Sequence, residues 1–225
     1  MLPNMVEHFR TSDIRVKDAD KAKIYDILFH GEAHSRKELL DRFKFRPTVL
    51  TLSIRELLED GLIVEEAKHK SPSGGRPEVK LAPEPDRLMA ICFHAESRHL
   101  KAALVNLKGD ILLETGREFE ASGDEEAFLG LCRSHIRNLM AHMPKKTILA
   151  GIGMSLPGSV DTKEKRFNST YRWPKLRGIS LTPLEGEFGC SLHVRKDLDS
   201  VLENSMLNFP ELAKGNTLLF HWGRS

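Results

Sequence analysis

Ser35-Arg36-Lys37-Glu38-Leu39-Leu40, then Phe45-Arg46-Pro47-Thr48-Val49-Leu50-Thr51-Leu52-Ser53-Ile54-Arg55-Glu56-Leu57-Leu58-Glu59-Asp60-Gly61, and after them a polar stretch closing on Ser73-Gly74-Gly75-Arg76-Pro77, decide the fold of this 225-residue chain. Ser35 followed three residues later by Glu38 spells a capping box, in which each side chain satisfies a backbone N–H at the other's position and a helix begins. Leu39, Leu40 and Phe43 give that short helix one apolar side. Pro47 falls in the first turn of the next helix, where its missing N–H costs nothing, and Gly61 is the residue type that ends helices in the left-handed conformation. Between them Leu50, Ile54, Leu57 and Leu58 recur at i, i+4, i+7 and i+8, which predicts one buried stripe. Thr48, Thr51, Leu52 and Arg55 then face the other way.

After Gly61 the period changes. Leu62-Ile63-Val64 and Val79-Lys80-Leu81 are short β-prone runs on either side of a long polar tip, so a hairpin is expected there. From Ala67 to Pro77 the tip carries Lys68, Lys70 and Arg76 and no acid. Two short helices followed by such a hairpin make a winged helix–turn–helix, expected over residues 18–83. Its second helix suits a major groove, since an arginine can fork onto guanine while apolar groups meet thymine methyls. The expected DNA-contacting residues are Ser35 and Arg36 at the first helix start, Arg46 in the turn, and Thr48, Thr51, Leu52 and Arg55 on the reading face. In the wing, Lys68 and Lys70 are expected on phosphates. Gly74 and Gly75 let the backbone come close, and Arg76 is expected in a narrow minor groove.

Composition is that of an ordinary globular chain, 40% apolar and 29% charged. No run approaches the ~18 apolar residues of a membrane span and the first residues lack signal-peptide order, so a cytoplasmic protein is expected. Cys92, Cys132 and Cys190 are far apart and odd in number, with no metal-ligand spacing, so neither a disulfide framework, a zinc site nor any other cofactor is expected. The net charge is only +2, and residues 1–83 hold 15 Lys+Arg against 14 Asp+Glu. The DNA argument therefore rests on local placement of charge.

Residues 1–17 show no periodicity and are expected as an N-terminal arm. Ala22, Ile24, Tyr25, Ile27 and Leu28, ending at Gly31, predict a first helix from Asp18. Ala82-Pro83-Glu84-Pro85 predicts a linker. Beyond it Leu88–Phe93, Leu100–Asn106 and Ile111–Glu114 read as strands, and Ser122 with Glu125 as a capping box before a helix running to about His142. A buried strand is expected at Thr147–Ser155. Further strands are expected at Ser191–Val194 and Thr217–His221, with helices near Pro183–Phe188 and Leu198–Leu207. The combined fold class is α+β followed by α/β.

These residues resemble the ROK (repressor, open reading frame, kinase) family, specifically its sugar-responsive repressors. The resemblance rests on the S-R-x-E-L helix, the R-E-L-x-E-x-G-L close of the second helix and Gly74-Gly75-Arg76-Pro77. In the body it rests on Ala102-Ala103-Leu104-Val105-Asn106-Leu107-Lys108-Gly109, on Gly151-Ile152-Gly153-Met154-Ser155-Leu156-Pro157-Gly158-Ser159-Val160-Asp161, and on Trp173 to Gly178. It implies a ribonuclease-H-like, actin-type lobe over residues 87–225 and a sugar or sugar phosphate as effector. Thr217–Ser225 end where the family's second phosphate loop begins, so a single lobe is expected, whether a fragment or a shortened regulator.

Kinases of the family hold ATP phosphates on a D-x-G-G-T turn, where this chain has His94-Ala95-Glu96-Ser97-Arg98. Glu96 would repel phosphate. The family's E-N-D-x-N stretch is here Arg195-Lys196-Asp197-Leu198-Asp199, which keeps only the aspartate. Asp197 is then either a helix-dipole partner or a hydrogen-bond acceptor for a sugar hydroxyl. Asn168, in the loop to Trp173, is the second expected ligand contact, and the same stretch also reads as an ordinary surface loop. The leading expectation is a homodimeric, DNA-binding repressor on a palindromic operator, with no enzymatic activity. The alternatives are an ATP-dependent sugar kinase and a winged-helix protein scaffold.

Overall fold

The computed structural model describes residues 16–31, 34–66, 79–96, 98–120 and 123–220. It divides into two units, Met1–Arg87 and Leu88–Ser225. In the first unit, helix α1 (Val16–His30) is followed by strand β1 (His34–Ser35), helices α2 (Arg36–Phe43) and α3 (Pro47–Glu59), and strands β2 (Ile63–Glu65) and β3 (Lys80–Pro83). The strands form an antiparallel sheet in the order β1-β3-β2. The expected hairpin is present, with Ile63 opposite Pro83 and Glu65 opposite Leu81. Its core is built from Ile24 and Leu28 of α1, Leu39 of α2, Leu50, Ile54 and Leu57 of α3, and Leu62, Ile63 and Leu81. Each such side chain contributes on the order of 1.5–3 kcal/mol on burial.

The expected linker is corrected in part. Ala82 and Pro83 belong to β3, and Pro85–Arg87 form a 3-10 turn. The Glu84 N–H donates to the Leu62 carbonyl at 2.9 Å, and Arg87 Nε donates to the Asp60 carbonyl at 2.7 Å, so this stretch is bonded back onto its own unit.

In the second unit, strands β4 (Leu88–Glu96), β5 (His99–Asn106) and β6 (Ile111–Glu118) form an antiparallel meander. Helix α4 (Glu125–Ala141) leads to β7 (Ile148–Leu156), which runs parallel to β4. Short strands β8 (Ser159–Asp161), β9 (Arg166–Ser169) and β10 (Arg177–Ser180) make a second sheet, ordered β10-β9-β8. Helix α5 (Thr182–Phe188), strand β11 (Ser191–Lys196), parallel to β7, and helix α6 (Asp197–Asn208) complete the unit before a 3-10 turn at Pro210–Lys214. The main sheet thus has the order β11-β7-β4-β5-β6.

The β5–β6 turn is set by one side chain: Asn106 Oδ1 accepts the N–H groups of Lys108 at 3.0 Å and Asp110 at 2.9 Å, replacing backbone bonds that a tight turn leaves unmade. Helix α4 turns Phe128, Leu129, Cys132, His135, Ile136 and Leu139 inward. Phe128 also joins an aromatic cluster with Phe119 and Trp173, whose centroids lie 5.5–5.9 Å apart, and with Phe167 at 6.1 Å. Gly158 turns the chain from β7 to β8 with φ +90°, and a Cβ there would collide with the Ser169 carbonyl and Thr170, so no other residue fits.

Three expectations differ here. The cap of α4 is Asp124, whose side chain accepts from the Ala127 N–H at 3.0 Å, while Ser122 lies outside the described residues. Thr217–Phe220 carry no regular structure, and Leu218 and Phe220 are 77% and 86% exposed, because no described strand lies beside them to pair with. Trp173, expected in a sugar-binding loop, is fully buried in the aromatic cluster.

His135 is 2% exposed, and its Nε2 finds no hydrogen-bond partner among the described residues. Burial, with Arg117 nearby, lowers its pKa, so the folded state holds it neutral. The unfolded chain binds that proton more readily, so stability falls as pH drops below the unfolded value of about 6.5 toward the lowered folded value. Urea unfolding from pH 7.5 to 5 should show wild type losing more stability than His135→Leu. Parallel curves for the two would remove His135 as the cause.

Candidate nucleic-acid interface

Helix α3 is placed by its two ends. Ser35 caps α2, its hydroxyl accepting from the Glu38 N–H at 3.2 Å, while Glu38 Oε2 accepts from the Ser35 N–H at 2.7 Å. That backbone N–H holds the Glu38 carboxyl below the usual carboxylate range. Helix α2 stops where Lys44 turns left-handed at φ 54° and its N–H donates to the Leu40 carbonyl. Three residues later α3 has begun, with extended Arg46 as its N-cap and Pro47 in its first turn. It closes in a Schellman motif: the Leu62 N–H reaches the Leu57 carbonyl at 2.9 Å and the Gly61 N–H the Leu58 carbonyl at 3.0 Å. Gly61 sits at φ +69°.

The helix period sorts α3 into faces. Leu50, Ser53, Ile54 and Leu57 are buried, and Leu58, expected in the same stripe, is half-buried at its margin. Thr48, Thr51, Leu52 and Arg55 are all exposed, Leu52 at 43%. The Thr51 hydroxyl donates to the Pro47 carbonyl at 2.8 Å and keeps its lone pairs for an outside donor. Arg55 Nε lies 3.8 Å from Glu59 Oε1, a loose exposed pair that a stronger anion or a base edge can displace.

Behind this face is an ionic lock. Lys21 of α1, its side chain 6% exposed, places Nζ 3.1 Å from Glu56 Oε2 and 3.3 Å from Asp60 Oδ2. Both carboxylates belong to the C-terminal turn of α3 and its cap, so the triad fixes α3 against α1. The sequence reading missed it. The signal was available, since Lys21, Ile24 and Leu28 share one face of α1 at i, i+3 and i+7.

The other expected DNA contacts are placed as follows. Ser35 is corrected: it is 3% exposed and its hydroxyl is committed to the cap. Arg36 is exposed and bonded to Glu65 Oε1 of β2 at 2.9 Å, and Arg46 is exposed in the turn. Lys68, Lys70, Gly74, Gly75 and Arg76 lie outside the described residues.

In the second unit the carboxyl ends of the parallel strands β4, β7 and β11 lie side by side, the usual place for a ligand in such a sheet. Asp197 follows β11 directly and its Oδ1 accepts from the Leu198 N–H at 2.8 Å, at the start of α6. Asn168 of β9 is half-buried and its Nδ2 lies 3.4 Å from Ser159 Oγ. Among the described residues no hydrogen bond or ion pair joins Asn168 to Asp197. Tyr171, 76% exposed with the Arg172 guanidinium 5.6 Å from its ring centroid, is the exposed aromatic of this stretch. At the kinase-type turn β4 and β5 stay paired up to Glu96 opposite His99. Among the described residues no group of three or more His, Cys, Asp or Glu could hold a metal ion.

No protein-family model matches the chain. Over 191 residues, 83% of this chain and 46% of the relative, it is 24% identical to the DNA-binding transcriptional repressor Mlc of Escherichia coli (strain K12). Over 180 residues, 79% of this chain and 45% of the relative, it is 22% identical to an uncharacterized protein, y4fQ, of Sinorhizobium fredii. The chain therefore spans about half the length of these relatives. Among solved structures, the crystal structure of a ROK family transcriptional regulator, a homolog of E. coli Mlc, matches with a TM-score of 0.63 at 21% identity, covering 81% of this chain and 46% of that one. The resemblance to the ROK family read from the sequence holds, and the fold is shared with that regulator over the matched residues.

Lys21→Met keeps the aliphatic stem but takes the ammonium away from Glu56 and Asp60. It should cost about 3–5 kcal/mol in urea unfolding, as expected for removing one partner of a buried ion cluster. A loss below about 1 kcal/mol would mean that the triad does not hold α3.

Proposed function

We propose that this chain belongs to a sugar-responsive transcriptional repressor of the ROK type. In this reading residues 18–83 are a winged helix–turn–helix, and α3 enters the major groove of double-stranded DNA. The observation that carries it is the face of Thr48, Thr51, Leu52 and Arg55, four exposed side chains opposite a buried stripe on the second of two short helices joined by a three-residue turn. The similarity to Mlc over four-fifths of the chain supports the same reading. Two-fold symmetric operators match homodimers, so a palindromic site bound by two copies is the geometry that follows. Among the described residues no helix is long and apolar enough to cross a membrane, in keeping with a cytoplasmic regulator.

The second unit then serves as the sensor. Its strand order, with β7 and β11 parallel to the first strand of the meander, fits a ribonuclease-H-like lobe of the actin type. A sugar or sugar phosphate would bind at the carboxyl ends of the parallel strands, with Asp197 and Asn168 as hydroxyl partners. Phosphoryl transfer needs positioned phosphates and metal. Here the stretch His94–Arg98 holds no glycine to let the backbone approach phosphate, which supports a lobe that binds without transferring phosphate.

Fluorescence anisotropy with duplex DNA from upstream of the protein's own gene tests the reading. Arg55→Ala should lose on the order of 1–3 kcal/mol on that site and little on random duplex. Equal losses on both would take base reading away from Arg55. A coupled assay with ATP, magnesium and a panel of hexoses should show no turnover. Turnover that Asp197→Asn abolishes would make the chain a kinase.

A further inference from the structure

Beside the reading face, between α1, the turn and α3, lies a groove of about 610 Å³. Phe45, Val49 and Leu52 form its apolar floor, and Lys23, Lys44 and Arg46 bring three cations against one acid, Asp20. At 3.6 residues per turn Val49 falls between the buried stripe and the exposed face of α3, with Leu52 shared by the groove and that face. The groove is therefore the flank of α3 on the α1 side. Arg36 at the start of α2 is tied to β2 and lies toward the sheet.

The three cations differ from others in the same unit. Arg36 is held by Glu65 and Arg55 by Glu59, whereas Lys23, Lys44 and Arg46 form no ion pair among the described residues. Lys23 is instead steadied on an aromatic face, its Nζ 5.6 Å from the Phe45 ring centroid. Lys44 is fixed in position by its left-handed backbone. No side chain caps α3, so the positive end of the helix, flanked by Arg46, also opens here.

We propose that this groove seats the DNA backbone: with α3 in the major groove, Lys23, Lys44 and Arg46 contact phosphates of the strand that walls it on the α1 side. The proposal rests on the DNA reading above. Phosphodiesters supply the anions that three unneutralised cations lack, and deoxyribose faces meet the apolar floor. Such contacts fix register and supply affinity without reading sequence. They would add to Arg55, which reads bases, and make Lys23 and Lys44 positioning residues that the sequence pattern alone did not single out.

The test is the salt dependence of duplex binding by the full chain, measured by anisotropy on its own upstream DNA and on random duplex. Lys23→Gln and Lys44→Gln remove charge from exposed positions, and Gln leaves the backbone demand at Lys44 unchanged. Each should lower the slope of log Kobs against log salt by about 0.9, one phosphate contact, and weaken both duplexes by the same factor. Lys108→Gln, an exposed lysine of the second unit, removes the same charge and should leave the slope as in wild type. If wild type binds with a steep slope and the groove variants match it, the groove does not touch DNA and its occupant is another partner, such as an acidic protein segment. If wild type binds no duplex at any salt, the DNA reading itself fails, which is a separate result.

Discussion

A buried ammonium ties α3 to α1. Lys21 reaches from α1 to Glu56 and Asp60 at the far end of α3, in surroundings where all three side chains are 12% exposed or less. An ion pair so placed adds little net stability over an apolar contact, because desolvating the charges costs nearly what their attraction returns. Its effect is on geometry. Apolar packing of Leu50, Ile54 and Leu57 is non-directional, whereas a lysine between two carboxylates adds contacts of fixed direction. The exposed row from Thr48 to Arg55 is carried on the helix held in this way, and the proposed base reading would need that alignment.

The same end of α3 is secured twice more. Gly61 turns left-handed so that two backbone N–H groups return to the last carbonyls of the helix, and Arg87 donates to the Asp60 carbonyl from beyond the hairpin. The opposite end is left open. Arg46 provides no cap bond, and among the described residues Lys23, Lys44 and Arg46 form no ion pair. A helix tied at its C-terminal end and cationic around its N-terminal end is suited to receiving an anion there, as the proposed DNA backbone contact would need.

Much of the first unit was legible because its signals are local. The capping box at Ser35 and Glu38, Pro47 in the first turn and Gly61 at the end each act within four residues, and the spacing of Leu50, Ile54 and Leu57 separates core from surface without knowledge of any neighbour. Strand β1 was not legible, since two residues cannot show a period. The small sheet of β8, β9 and β10 was missed for the same reason, its strands being three or four residues long. Side-chain commitments were hidden where partners are distant: Arg36 meets Glu65 29 residues on, and Lys21 meets Asp60 39 residues on. The cap of α4 is Asp124 and not the expected Ser122, because a Ser and an Asp in one short polar run give the same local signal. For the effector site only single residues could be named, because the ends of β4, β7 and β11 come together through pairing that no short motif encodes.

The proposed function depends first on the exposed face of α3 reading base sequence. Selection of bound duplexes from a random-sequence DNA library tests it most directly, comparing wild type with the joint Thr51→Ala, Arg55→Ala variant. The account predicts that wild type enriches a two-fold symmetric motif, while the variant still binds duplex but enriches no preference at the positions those residues face. Failure of wild type to enrich any motif, or recovery of the same motif by the variant, would contradict it.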